Sequence, residues 1–163
     1  MIAHFAPKQA GFTLVEMVVT VAIVSLLTSV AVPLAQVSVK RSQEHELHRA
    51  LREIRTALDA YRQAVEDRRI SIAIQESGYP PSLQVLVDGV PDASSPDGKK
   101  RIYFLRRIPR DPFFTDPTRP DDETWGKRSY ASSPEAPEEG DDVFDVHSRA
   151  SGTGLNGIPY VRW

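Results

Sequence analysis

Gly11-Phe12-Thr13-Leu14-Val15-Glu16, followed by an uncharged run from Met17 to Val39, is the stretch that decides how this chain is organised. The run is 23 residues long, and a bilayer core needs about 20 helical residues. A secretory signal peptide has an apolar region of only about 7–15 residues and ends at a small-residue cleavage site. Here the helical pattern continues past the run, so the expectation is a retained membrane helix. Glu16 sits at its mouth, and an ionisable group against lipid is costly and usually functional. Lys8 precedes the run while Lys40 and Arg41 follow it, so the basic flanks alone do not orient the helix.

Downstream the period changes from uniformly apolar to amphipathic. Leu47, Leu51, Ile54, Leu58, Tyr61 and Val65 follow one another at steps of four and three, which places them on one stripe of a helix. Ala50, Ala57 and Ala64 flank the stripe and permit close approach of another element. A coiled coil has the same period, but only about three heptads are present. The pattern therefore predicts a helix laid across a small sheet. Nothing between Pro33 and Arg69 stops it. Pro33 removes one helical hydrogen bond, which reads either as a kink tolerated in lipid or as a weak point used when subunits pack.

Most of the turn residues come later: 11 of 13 prolines and 8 of 9 glycines lie at or after Gly78. The chain thus divides into a leader (1–11), an apolar helix (12–39), an amphipathic helix (40–68) and a loop-rich head (69–163). Strand candidates in the head are short: Ile102–Leu105, Val143–Val146 and, more weakly, Arg128–Ala131. Prolines 109, 112, 117, 120, 134 and 137 delimit long irregular connections. The fold class expected is α+β, one long helix packed on a small antiparallel sheet with long loops.

Composition narrows the function. A net charge of −2 over 163 residues argues against a nucleic-acid binder, which carries a basic patch or stripe. With no cysteine, an exported head must hold together by packing or by a bound ion. Gly152-Thr153-Gly154-Leu155-Asn156-Gly157 matches a dinucleotide fingerprint in letters only, since no helix or acidic partner can follow it. His45 and His48, three apart beside Glu44, could share a helix face, but a closed metal site needs more ligands. The acidic groups Asp121–Glu123 and Glu138, Glu139, Asp141, Asp142, Asp145 read as solvated loops or as calcium ligands, with spacing that fits no calcium-loop motif. No nucleophile, metalloprotease or phosphate-loop motif is present. A non-enzymatic protein is expected.

That returns the argument to the start of the chain. Cutting after Gly11 would give Phe12 a free ammonium four residues from Glu16, on the same helical face. In low dielectric each charge needs its opposite, and a neighbouring subunit displaced along the helix axis could supply it. The alternative is a glutamate that merely complements the helix dipole.

The segment Gly11–Glu16, with Pro33 and a short leader bearing Lys8, resembles the class III signal of type IV prepilins and type II secretion pseudopilins. The remainder is similar to the major pseudopilins, the G-protein family of type II secretion, at Ile108–Pro112, Trp125-Gly126, Asp142–Val146 and Trp163. The resemblance implies a lollipop-like pilin fold and cleavage between Gly11 and Phe12 by a prepilin peptidase with N-methylation of Phe12. It also implies assembly through Glu16 and Pro33, and an inner-membrane anchor with the head in the periplasm. The partners implied are further copies in a helical filament, minor pseudopilins and the secretion platform. A type IV pilus subunit is the alternative, against which the missing cysteines weigh, and a non-polymerising membrane-anchored binding protein is a third reading. Major pseudopilins place calcium ligands in an acidic C-terminal loop; Ser148–Gly157 has no carboxylate, so hydrogen bonds and packing by Tyr160 and Trp163 are expected in the ion's place.

Overall fold

The computed structural model describes residues 11–71, 77–95 and 99–163. The chain divides into two compact units, Met1–Lys40 and Arg41–Trp163. Helix α1 runs from Leu14 to Glu66 and belongs to both.

In the first unit every residue from 11 to 39 is exposed. Four of the five hydroxyl groups between Leu14 and Val39 nonetheless find partners within the helix. Thr20 donates to the Met17 carbonyl (2.9 Å), Ser25 to Val21 (2.7 Å), Thr28 to Val24 (2.8 Å) and Ser29 to Leu26 (2.7 Å). Such back-bonding pairs these side-chain donors within the segment itself. Pro33 lies inside the helix, which remains helical on both sides of it.

In the second unit the predicted stripe is the core. Leu47, Leu51, Ile54, Leu58 and Tyr61 are buried together with Ala50, Ala57 and Ala64, while Val65 is half-buried. They pack against Leu83 and Leu86 of α2 (Leu83–Asp88) and against Trp125 and Val146. Helix α1 ends at Glu66, where Arg68 adopts a left-handed φ of 60° and Ile70 N donates back to the Ala64 carbonyl at 3.3 Å. The α+β architecture is as expected, a long helix with small antiparallel sheets.

The strands differ in detail. Among the described residues there are two separate two-stranded ladders: β1 (Val90–Pro91) with β2 (Arg101–Ile102), and β3 (Trp125–Arg128) with β4 (Asp145–Ser148), both antiparallel. The candidate at 102–105 leaves the ladder after Ile102 because Phe104 N and Leu105 N both donate to the Leu86 carbonyl (3.0 Å). The candidate at 143–146 pairs from Asp145 onward, since Val143 N is taken by the Pro80 carbonyl. The candidate at 128–131 is displaced to 125–128, because Ser129 N turns to the Glu138 carbonyl. Each buried donor finds a partner, but outside the ladder. Gly126 faces His147 across the β3–β4 ladder, and a Cβ there would collide with the His147 ring.

Buried carboxylates fix the loops. Asp92, fully buried, accepts from Arg69 (2.8 Å) and from the Ser94 amide (3.1 Å) and hydroxyl (2.6 Å). Asp111, also fully buried, accepts from the Phe113 amide (2.9 Å) and the Ser148 hydroxyl (2.6 Å). Trp125 anchors the same region by donating its indole N–H to the Pro109 carbonyl at 2.8 Å. The Arg69 guanidinium, aided by Ser94, holds the Asp92 carboxyl well below its ordinary value. A carboxyl lowered in the folded state contributes stability that is complete above its unfolded value of about 3.9 and is lost as pH falls below it. Asp92→Asn is therefore expected to lower Tm at pH 7 and to bring the mutant curve toward wild type near pH 3. Parallel Tm curves between pH 7 and pH 3 would show that Asp92 does not carry this acid sensitivity.

Candidate functional site

Gly11, Phe12 and Thr13 precede α1, non-helical and exposed, with Phe12 79% accessible. A Cβ placed on Gly11 meets nothing within 4 Å, so packing among the described residues gives no reason for glycine there. Residues 1–10, including Lys8 and His4, lie outside the described residues. Thr13 starts the helix: its hydroxyl accepts from the Glu16 amide at 3.2 Å. This is half of a capping box. The other half is missing, since the Glu16 carboxylate makes no hydrogen bond or ion pair among the described residues. Thr13 supplies the cap and Glu16 keeps its carboxylate exposed at the end of an apolar surface. Helix α1 is the one helix among the described residues long and apolar enough to cross a membrane.

The remaining candidates fall into place differently. His45 is exposed and His48 stacks on Trp163, with ring centroids 4.2 Å apart. Among the described residues no three His, Asp or Glu side chains gather as a metal site would require. Several members of both acidic groups pair locally. Asp121 pairs with Arg110 (3.0 Å), Glu123 with Arg119 (2.7 Å) and Asp145 with Arg55 (2.8 Å). Burial works against the Asp142 charge, but hydrogen bonds from the Ser129 and Ser77 hydroxyls and the Tyr130 amide outweigh it and hold that carboxyl below its ordinary value. The donor set of Ser148–Gly157 does not fit a calcium ion either, having no carboxylate.

That loop is closed by other means. Gly154 N donates to the Ile158 carbonyl (2.9 Å), Gly157 N to Gly154 (3.0 Å) and Tyr160 N to Gly152 (3.1 Å). Tyr160 stacks on Phe113 at 4.3 Å and meets Trp163 edge-on at 5.0 Å. The closing residue is Glu44. Its buried carboxylate accepts from the Leu155 amide (2.8 Å) and the Tyr160 hydroxyl (2.9 Å). Burial, then the Glu44 carboxylate, push the Tyr160 hydroxyl up to about 12. Arg55, one flank away on α1, donates to the Val146 (3.1 Å) and Trp163 (2.7 Å) main-chain oxygens. Sequence reasoning missed both roles. A signal for Glu44 was present, because it continues the Leu47–Leu51 stripe one step toward the N-terminus.

Residues 6–32 match the family model of the prokaryotic N-terminal methylation motif. No curated protein and no solved structure matches the chain. The chain thus carries a prepilin-type N-terminal signal, of the kind found in type IV pilin-like proteins. Such a motif implies processing by a prepilin peptidase and assembly into filaments. Together with one long apolar helix it fits membrane anchoring.

The Glu44 closure is testable. Glu44→Ala leaves the Leu155 amide and the Tyr160 hydroxyl unsatisfied, at a cost of about 1–3 kcal/mol. The expected result is faster amide exchange over residues 152–163 with the α1 core still protected. Unchanged exchange in that segment would refute the role.

Proposed function

We propose that this chain is the major subunit of a periplasmic pseudopilus of type II protein secretion. The observation that carries the proposal is the methylation motif at residues 6–32, which spans the start of the chain and the first turns of an exposed apolar helix beginning at Leu14. The finer assignment to a pseudopilus rests on the resemblance at Ile108–Pro112, Trp125-Gly126 and Asp142–Val146. Three of those residues have structural work: Asp111 ties to Ser148, Trp125 to Pro109, and Gly126 makes room for His147.

In this reading residues 1–11 are removed by cleavage between Gly11 and Phe12, and Phe12 is N-methylated. Residues 12–39 anchor the subunit in the inner membrane with residues 69–163 as a periplasmic head carried on helix 40–68. Cleavage creates an α-ammonium on Phe12 that did not exist before. Glu16 of a neighbouring subunit neutralises it, and in a medium of low dielectric such a pair forms only when both charges are present. Removal of the leader is thus the switch that permits assembly. Pro33 frees one backbone carbonyl inside the packed bundle and lets the helix adjust there. The filament works with minor pseudopilins and the inner-membrane platform to move exoproteins through an outer-membrane secretin. A type IV pilus subunit would share all of these steps, and genes for a secretin and secretion ATPase rather than a retraction ATPase beside this one distinguish the two.

Two outcomes are expected. Mass spectrometry of the chain recovered from membranes should find N-methylated Phe12 at the N-terminus; an intact Met1 terminus in cells with active peptidase would sink the reading. Glu16→Ala should leave processing and head folding unchanged but reduce intersubunit crosslinking about tenfold or more. Undiminished crosslinking would refute the charge pairing.

A further inference from the structure

Opposite the buried stripe, α1 presents Arg41, His45, Arg49 and Arg52 at steps of four, four and three, a single line along the helix. All four are exposed, and among the described residues none forms a hydrogen bond or ion pair. Its acidic neighbours are Glu46, three residues before Arg49, and Glu53, four after it, and neither pairs with Arg49 among the described residues. Glu44 points into the core, and Glu46 and Glu53 lie toward a groove of about 350 Å³ that also contains Arg49 and Arg107. Arg49 and Arg52 stand three apart, a spacing at which like charges repel, and the face keeps a positive balance of three arginines beside those two carboxylates.

Its complement is elsewhere in the same chain. From Ser129 to Ser148 there is no Lys or Arg, while Glu135, Glu138, Glu139, Asp141, Asp142 and Asp145 fall in that interval. Residues 133–141 are nine consecutive exposed positions. The span is tied across its base, where Ser129 N donates to the Glu138 carbonyl (2.9 Å), and Glu135 N donates to the Ser133 hydroxyl (3.2 Å). Glu139 reaches Arg149 (2.7 Å), but Glu138 and Asp141 have no side-chain partner among the described residues. Within one chain Pro134 and Pro137 lie along Arg55, Arg128 and Asp145, and the loop makes no ion pair with the Arg41–Arg52 line.

We propose that the Arg41–His45–Arg49–Arg52 face of α1 docks the acidic 133–141 loop of a second copy of this chain. Complementary charge favours this occupant, and the bond across the base of the loop reduces the ordering entropy lost on docking. An anionic lipid surface suits the face less well. Arg52 is 13 residues beyond Val39, up to about 20 Å of helix, against a screening length of about 8–10 Å. The contact rests on the filament reading in that it needs copies side by side, and it sets which heads meet.

The native chain has no cysteine, so single introduced cysteines report without background. Full-length chains carrying H45C and, separately tagged, A136C are co-expressed and oxidised in the membrane, with the Phe12 terminus verified and filaments imaged. The expected result is a mixed disulfide dimer whose yield falls about fivefold with R49E/R52E in the H45C chain and recovers when the A136C chain carries E138K/D141K. Absence of the mixed dimer overturns the docking. So does a yield that charge reversal leaves unchanged, or a loss that the reversed loop fails to restore. Filaments without the crosslink overturn the docking and leave the subunit reading intact, whereas loss of processing and filaments removes that reading as well.

Discussion

Helix α1 must satisfy two solvents with one continuous backbone, and the rest of the chain depends on how it does so. From Met17 to Val39 its surface is uncharged and largely apolar, and four of its five hydroxyls return to carbonyls of the preceding turn. From Leu47 onward the apolar residues retreat to one stripe and everything opposite becomes polar. The hydrophobic effect folds the second unit against that stripe, since burying each Leu or Ile contributes about 1.5–3 kcal/mol. No comparable burial is available to the first stretch within a single chain. Its requirement can be met only by lipid or by other helices.

Without disulfides, long loops in a head this small need other restraints. Here they are polar nodes seated in the core. Glu44 holds the 155–160 turn, Asp111 joins the 111–113 turn to β4, and Asp92 binds the end of α1 through Arg69. Among the described residues no buried side-chain nitrogen or oxygen lacks a partner. That completeness matters, because a buried carboxylate with one bond missing destabilises more than the bond contributed. The aromatic run Phe113–Tyr160–Trp163–His48 then carries the loop back to the helix. Gly154 is part of this closure, since a Cβ there would collide with the Trp163 ring.

The helix was legible because its signal is periodic and long: six apolar positions at steps of three and four cannot be satisfied by a strand. The N-terminal motif was legible because its elements are local. The ladders were not. Val143-Phe144 and Phe104-Leu105 have strand composition, yet their amides bond to Pro80, Arg128 and Leu86, partners set by tertiary position. Short strands carry too little pattern to fix register. Glu44, Asp92 and Asp111 were missed for a related reason: a carboxylate reads as solvated unless its donors are known, and those donors lie up to 116 residues away. Only Glu44 left a trace, by occupying a core position of the stripe.

The two regions of α1 leave charges unanswered in different ways, and the difference assigns them different work. Glu16 is one carboxylate at the edge of an apolar surface, where the dielectric is low and the attraction to a single ammonium is strong and short-ranged. The line from Arg41 to Arg52 lies in water, where each pair contributes about 0–1 kcal/mol and salt screens it. The first interaction suits a permissive step, since it either forms or leaves a charge stranded. The second suits register, since several weak pairs must align together before they amount to a preference. On the proposed assembly reading, a subunit built this way would commit through its N-terminus and select its neighbour's orientation through its head.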